Sequence, residues 1–146
     1  KVLFFTLIGL GELTLGLVIA RAGYSLVCAG PLLDYYLLAA CFLFALVNLG
    51  ILVAVGTRTL VRAIYVLVFL FITLILLSTM FAPLDNMAPF WASTRFVNPF
   101  FWIADGSWKI VLKGLSVTDN PENCLVLLGL GSILSVINIK KVKKLD

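Results

Sequence analysis

The run PLLDYYLLAACFLFALVNLGILVAV, residues 31–55, decides the fold class of this chain. A helix needs roughly 20 apolar residues to cross the hydrocarbon core of a bilayer. This run provides them, with Asp34 near its start and the amide of Asn48 deep inside. Pro31 suits a first helical turn, and Gly56 and Thr57 break the run at its far end. Three further stretches come close to spanning length: residues 2–20, which end at Arg21; residues 63–81, which stop before Pro83; and residues 121–139. The last opens with Asn120 as an N-cap, Pro121 in the first turn and Glu122 at the positive end of the helix. Its uninterrupted apolar part is short, which predicts little tilt or cover from neighbouring helices.

Composition agrees with the spans. Of 146 residues, 62% are apolar and only 12% charged, with a mean hydropathy of +1.15. That leaves too little polar surface to cover a core in water, so lipid must take over part of the covering. Nucleic acid is therefore not an expected partner despite the net charge of +4. Cys28, Cys41 and Cys124 are widely spaced and match no metal or redox pattern, so they read as small apolar fillers. The absence of histidine argues against haem, copper or zinc, and no cofactor is expected. Residues 2–20 are long for a signal-peptide core and carry Glu12 in their middle, so they read as a span rather than a cleaved leader.

Orientation follows from the basic residues near the span ends. With four crossings, both termini and the loop between the second and third spans share one side, which holds Lys1, Arg58, Arg62, Lys140, Lys141, Lys143 and Lys144. The other side holds Arg21, Arg95, Lys109 and Lys113, offset by Asp34, Asp85, Asp105, Asp119 and Glu122. Short basic loops stay on the cytoplasmic side, so both termini are expected there, or on the matrix or stromal side of an organellar inner membrane. The terminal lysines also suit anionic lipid headgroups.

Residues 82–120, on the opposite side, are too long for a turn and are rich in aromatics: Phe90, Trp91, Phe96, Phe100, Phe101, Trp102 and Trp108. Rings in such numbers favour the membrane interface, where one edge stays wet. Asn98 can cap a helix that starts at Pro99, along which Asp105, Lys109 and Lys113 recur every four residues. The facing side carries Phe100, Phe101, Trp108, Val111 and Leu115, giving an amphipathic interfacial helix anchored by Trp102, Trp108, Lys109 and Lys113. A shorter helix is expected from Met87 to about Thr94. The break between the two must lie in the headgroup zone or against protein, because lipid-exposed irregular backbone is costly.

Two polar side chains inside the spans could lie on a pathway. Glu12 is the one ionisable group in the middle of a span, and burying it there is costly unless it is paired or protonated, so it should face protein. It reads equally as a substrate or proton path residue and as a helix contact. Asn48 is expected to hydrogen-bond a neighbouring helix. Gly9, Gly16, Gly50, Ala54, Gly129 and Gly131 offer surfaces for close helix approach. The chain has no GxxxxGK[ST] loop and no Ser/His/Asp, Cys/His or metal-ligand constellation, so no ATP hydrolysis by that route and no enzyme activity are expected of it.

The run Leu77-Ser78-Thr79-Met80-Phe81-Ala82-Pro83-Leu84-Asp85-Asn86-Met87-Ala88-Pro89-Phe90-Trp91, then Asn98-Pro99, then Ile110-Val111-Leu112-Lys113-Gly114, resembles the C-terminal part of type-2 ABC transporter permeases. Residues 50–58 look, less specifically, like that family's glycine-containing end of a helix. The resemblance implies an all-α integral membrane fold in which these four transmembrane helices are the last four of six. It also implies an extracytoplasmic re-entrant helical hairpin over residues 82–115, carrying Pro83, Asn86, Met87, Pro89, Trp91, Asn98 and Pro99. The implied function is export of a drug, lipid, glycan or similar cargo, with a second permease half, identical or not, and cytoplasmic ATP-binding subunits as partners. The family's first two helices and its cytoplasmic coupling helix have no counterpart here, so the chain is either part of a longer permease or a reduced relative. A structural or accessory subunit of a larger membrane complex is the alternative reading.

Overall fold

The computed structural model describes residues 2–24, 28–78 and 93–143, and among these every regular element is helical. The long helices are α1 (Val2–Tyr24), α2 (Leu32–Gly56), α3 (Leu60–Leu76) and α5 (Glu122–Val142). Between α3 and α5 lie a 3-10 turn (Thr94–Val97), α4 (Pro99–Ser107) and a π-helical turn (Trp108–Leu112). Among the described residues three helices, α1, α2 and α5, are long and apolar enough to cross a membrane; α3, at 17 residues, is shorter.

The heart of the molecule is the seam between α2 and α5. On α2 the buried residues Leu38, Cys41, Ala45 and Asn48 recur at spacings of three and four; on α5 Cys124, Leu127, Gly131 and Asn138 keep the same rhythm. Such a stripe stays on one face of a helix and meets a matching stripe. The two helices run parallel. Leu38 lies beside the Asn123 end of α5, Phe44 and Ala45 lie against Gly131, and Asn48 meets Asn138. A Cβ on Gly131 would collide with the Phe44 ring, so glycine sets the closeness of this crossing. Of the other small residues noted in the sequence, Gly9 packs under Leu43, whereas Gly16, Gly50 and Gly129 face open space.

Around this pair, α1 leans on α2 without burying any residue, and the Tyr36 hydroxyl donates to Thr14 Oγ1 at 2.9 Å. The helix α4 lies across the start of α2, and α3 packs more lightly against α2 and α4. Phe100 of α4 joins the three, edge-on to Phe42 of α2 at 5.2 Å and to Phe71 of α3 at 6.1 Å. Cys41 and Cys124 fill the core beside Leu38, Ile110 and Leu127, with Cys28 half-buried against it.

Several expected boundaries shift. The third helix begins at Leu60, because Thr59 accepts from the Arg62 N–H as an N-cap. It ends at Leu76 rather than at residue 81. The Ser78 hydroxyl donates to the Ile75 carbonyl at 2.6 Å and the Ser78 N–H bonds the same oxygen, a tightened turn that competes with further helix. The last helix starts at Glu122 with Pro121 in the cap position, so Asn120 is not its cap. The preceding turn, closed by Asp119 N–H to Ser116 O at 3.1 Å, carries Asn120 past that role. Pro83, Asn86, Met87, Pro89, Trp91 and most of the shorter helix expected from Met87 lie outside the described residues.

Candidate functional site

Asn98 and Pro99 open α4 as the sequence indicates, with Asn98 Oδ1 accepting from the Phe100 N–H at 3.0 Å and Pro99 in the first turn. The same side chain does more. Its Nδ2 donates to the Leu74 carbonyl at 2.8 Å, meeting one of the orphan acceptors at the end of α3. One buried amide thereby ties the end of one helix to the start of another.

The expected amphipathic helix does not continue unbroken to Leu115. After Ser107 the backbone widens into the π turn, and each wide turn rotates the succeeding residues relative to an α-helix. Ile110, within the wide turn, is buried, whereas Trp108 at its start is 60% exposed and does not share the inward face with Phe101. Trp102 is half-buried, its indole N–H donating to the Phe96 carbonyl at 3.3 Å. Lys109 does pair with Asp105, at 2.7 Å, as the spacing of four indicates. Lys113 is exposed beside Gly114, whose φ of 69° closes the helix while the Leu115 N–H returns to the Lys109 carbonyl at 3.1 Å.

At this end of the molecule the polar side chains converge. The Asp34 carboxylate, in the first turn of α2, accepts from the Ser116 hydroxyl and from the Val117 N–H at 2.9 Å. The Ser116 N–H donates to Asp119 at 3.0 Å, which folds the connection between the π turn and α5. Asn123 of α5 donates to the Trp102 carbonyl at 3.0 Å and to Asp105 at 2.9 Å. Two hydrogen-bonded sets, one joining α2 to the connection at residues 113–121 and one joining α4 to α5, lie side by side in a polar node, with Gly106 admitting Leu38 and Asn123 where a Cβ would collide. Nothing in the chain's local pattern singled out Asp34, Ser116 or Asn123, because their partners lie 18 to 83 residues away.

A second polar contact lies inside the seam. Asn48 is 1% exposed, its amide donates to the Phe44 carbonyl of its own helix, and Asn138 donates to the Asn48 backbone carbonyl at 2.8 Å. The neighbouring helix is met mainly through the Asn48 backbone carbonyl, the Asn48 side-chain oxygen lying 3.5 Å from the Asn138 amide nitrogen. Both asparagines lie 16 residues into their helices, a matched depth that pairs them once the helices are parallel neighbours. Glu12 does not join them. It is exposed on the open face of α1, so the protein cover expected for it does not come from the described residues of this chain.

Among the described residues, the chemistry of this arrangement is that of helices held together by amides and carboxylates within an apolar shell. No curated protein and no solved structure matches the chain. A family model described as ABC-2 type transporter matches residues 1–112, the stretch from α1 through the π turn. This match covers well over half of the 146 residues, and together with the apolar helices it shows that the chain is an integral membrane protein of the ABC-2 type transporter family, a permease component of a transporter.

Proposed function

We propose that this chain forms part of the substrate pathway of an ATP-driven exporter, as a permease subunit paired with a second permease half and served by cytoplasmic ATP-binding subunits. The family match over residues 1–112 carries the reading. Its four spans would be α1, α2, α3 with the residues just beyond it, and α5, both termini facing the cytoplasm. The parallel course of α2 and α5 supports the count: a chain that leaves α2 on one side and enters α5 from the other must cross once between them. At 1.5 Å per residue α3 reaches about 26 Å, close to the roughly 30 Å of hydrocarbon to be crossed. The re-entrant hairpin would run over residues 82–115, with Pro83, Asn86, Met87, Pro89 and Trp91 in its first limb.

Glu12 is the candidate pathway residue. A carboxyl at the middle of a span is costly in lipid, so the open face of α1 would be covered by other helices of the transporter. Affinity purification from the native membrane is the test. We expect an ATP-binding subunit at fixed stoichiometry, with ATPase activity that depends on the permease; a clean, active membrane assembly lacking any such subunit would rule the proposal out. Glu12→Gln should preserve that assembly and alter transport, and unchanged transport would assign Glu12 to helix packing alone.

A further inference from the structure

The face of α5 turned away from the seam is an apolar strip that ends in two ammonium groups. Leu125, Gly129, Val136, Lys140 and Lys143 recur at spacings of three, four and seven, which keeps them on one side of the helix, away from the buried stripe that meets α2. Leu125 and Val136 are exposed, a Cβ on Gly129 would meet nothing within 4 Å, and both lysines are exposed. The described residues leave the strip uncovered.

Depth decides what can meet the lysines. Asn138 bonds the Asn48 carbonyl and α2 runs on from there to Gly56, so Lys140 and Lys143 come level with the last turns of α2 rather than beyond its end. Their stems place the ammonium groups in the surface layer of the bilayer, where lipid phosphates lie. Charge is one-sided there. Arg58 and Arg62 share this end, whereas Asp34, Asp105, Asp119 and Glu122 lie at the other. Glu12 lies between Gly9, packed on Leu43, and Thr14, bonded to Tyr36, beside the first half of α2. Among the described residues no carboxylate stands near the lysines. We propose that Lys140 and Lys143 hold the headgroup of an anionic phospholipid, with an acyl chain laid along Val136, Gly129 and Leu125. A zwitterionic headgroup brings a cation of its own to the lysine pair; an anionic one does not. Each lysine near the surface favours an anionic lipid about fivefold. The inference rests on the chain's place in a membrane and not on the transport reading.

Phe69 of α3, exposed and remote from any lysine in its helix, provides an internal comparison. The full chain is placed in vesicles of phosphatidylcholine and phosphatidylglycerol, one or the other carrying a photoreactive diazirine on its acyl chain, and mass spectrometry maps the labelled residues. We expect the ratio of phosphatidylglycerol to phosphatidylcholine labelling to be several-fold higher over residues 129–139 than at Phe69. Equal ratios at the two places overturn the proposal. The double variant Lys140→Gln with Lys143→Gln should bring the ratio down to that at Phe69, and Lys140→Arg with Lys143→Arg should keep it. An undiminished ratio in the glutamine variant also overturns the proposal. Were the lysines the seat of an acidic soluble subunit instead, the wild-type ratios would be equal and the glutamine variant would lose that subunit on purification. Should the variant not fold, the wild-type comparison decides by itself.

Discussion

Gly131 and Asn138 occupy the same seam, about two helical turns apart, yet they contribute in different ways. A Cβ at position 131 meets the Phe44 ring and comes within 3.3 Å of the Ala45 Cα, and the backbone cannot easily yield. Overpacking of this kind costs about 1–3 kcal/mol. The Asn138 hydrogen bond belongs to a class that averages about 0.6 kcal/mol between membrane helices. Removing it also removes a buried side-chain oxygen that has no partner, which offsets part of the loss. Gly131→Ala is therefore expected to destabilise more than Asn138→Leu, the latter by under about 1 kcal/mol. Thermal or detergent-induced unfolding of the two variants checks the order, and a larger loss in Asn138→Leu would refute it. Packing at a glycine thus outweighs a visible polar contact.

Among the elements, the connection at residues 113–121 has little apolar anchorage and depends on a carboxylate outside itself. Asp34 is placed to serve it because Pro31 starts α2 three residues earlier, bringing the carboxyl into the first turn, where a negative charge also suits the helix dipole. Hydrogen bonds to a charged acceptor are stronger than those between neutral groups. Asp34→Ala should accordingly speed hydrogen exchange at the Val117 amide while leaving the middle of α5 protected, and Asp34→Asn, which keeps an acceptor oxygen, should have a smaller effect. Equal protection at Val117 in all three proteins would mean that the contact does not hold the connection. The π turn is the other device at this scale. With Ile110 buried inside it and Trp108 exposed at its start, it interrupts the single amphipathic stripe that Asp105, Lys109 and Lys113 predict. Regular spacing indicates a regular helix, and the wide turn is a departure from local periodicity that the core makes worthwhile by burying Ile110.

For the whole molecule, the proposed orientation has a direct check. In sealed vesicles an impermeant amine reagent should reach Lys109 and Lys113 from one face, and Lys140 and Lys141 from the other. Modification of all four from a single face would eliminate the four-span arrangement. The sequence by itself determined the long apolar helices and several helix ends, at Pro31, Thr57 and Asn98–Pro99. Apolar run length and capping are properties of adjacent residues, and they survive whatever the chain packs against. It also carried the family resemblance of residues 77–114, although residues 79–92 lie outside the described structure. Only the tertiary structure decided that Asn48 meets Asn138, that Asp34 holds the connection before α5, and that Glu12 lies on an open face. Those outcomes depend on which helix faces arrive side by side, across 80 to 90 residues of chain, and no local pattern records that choice.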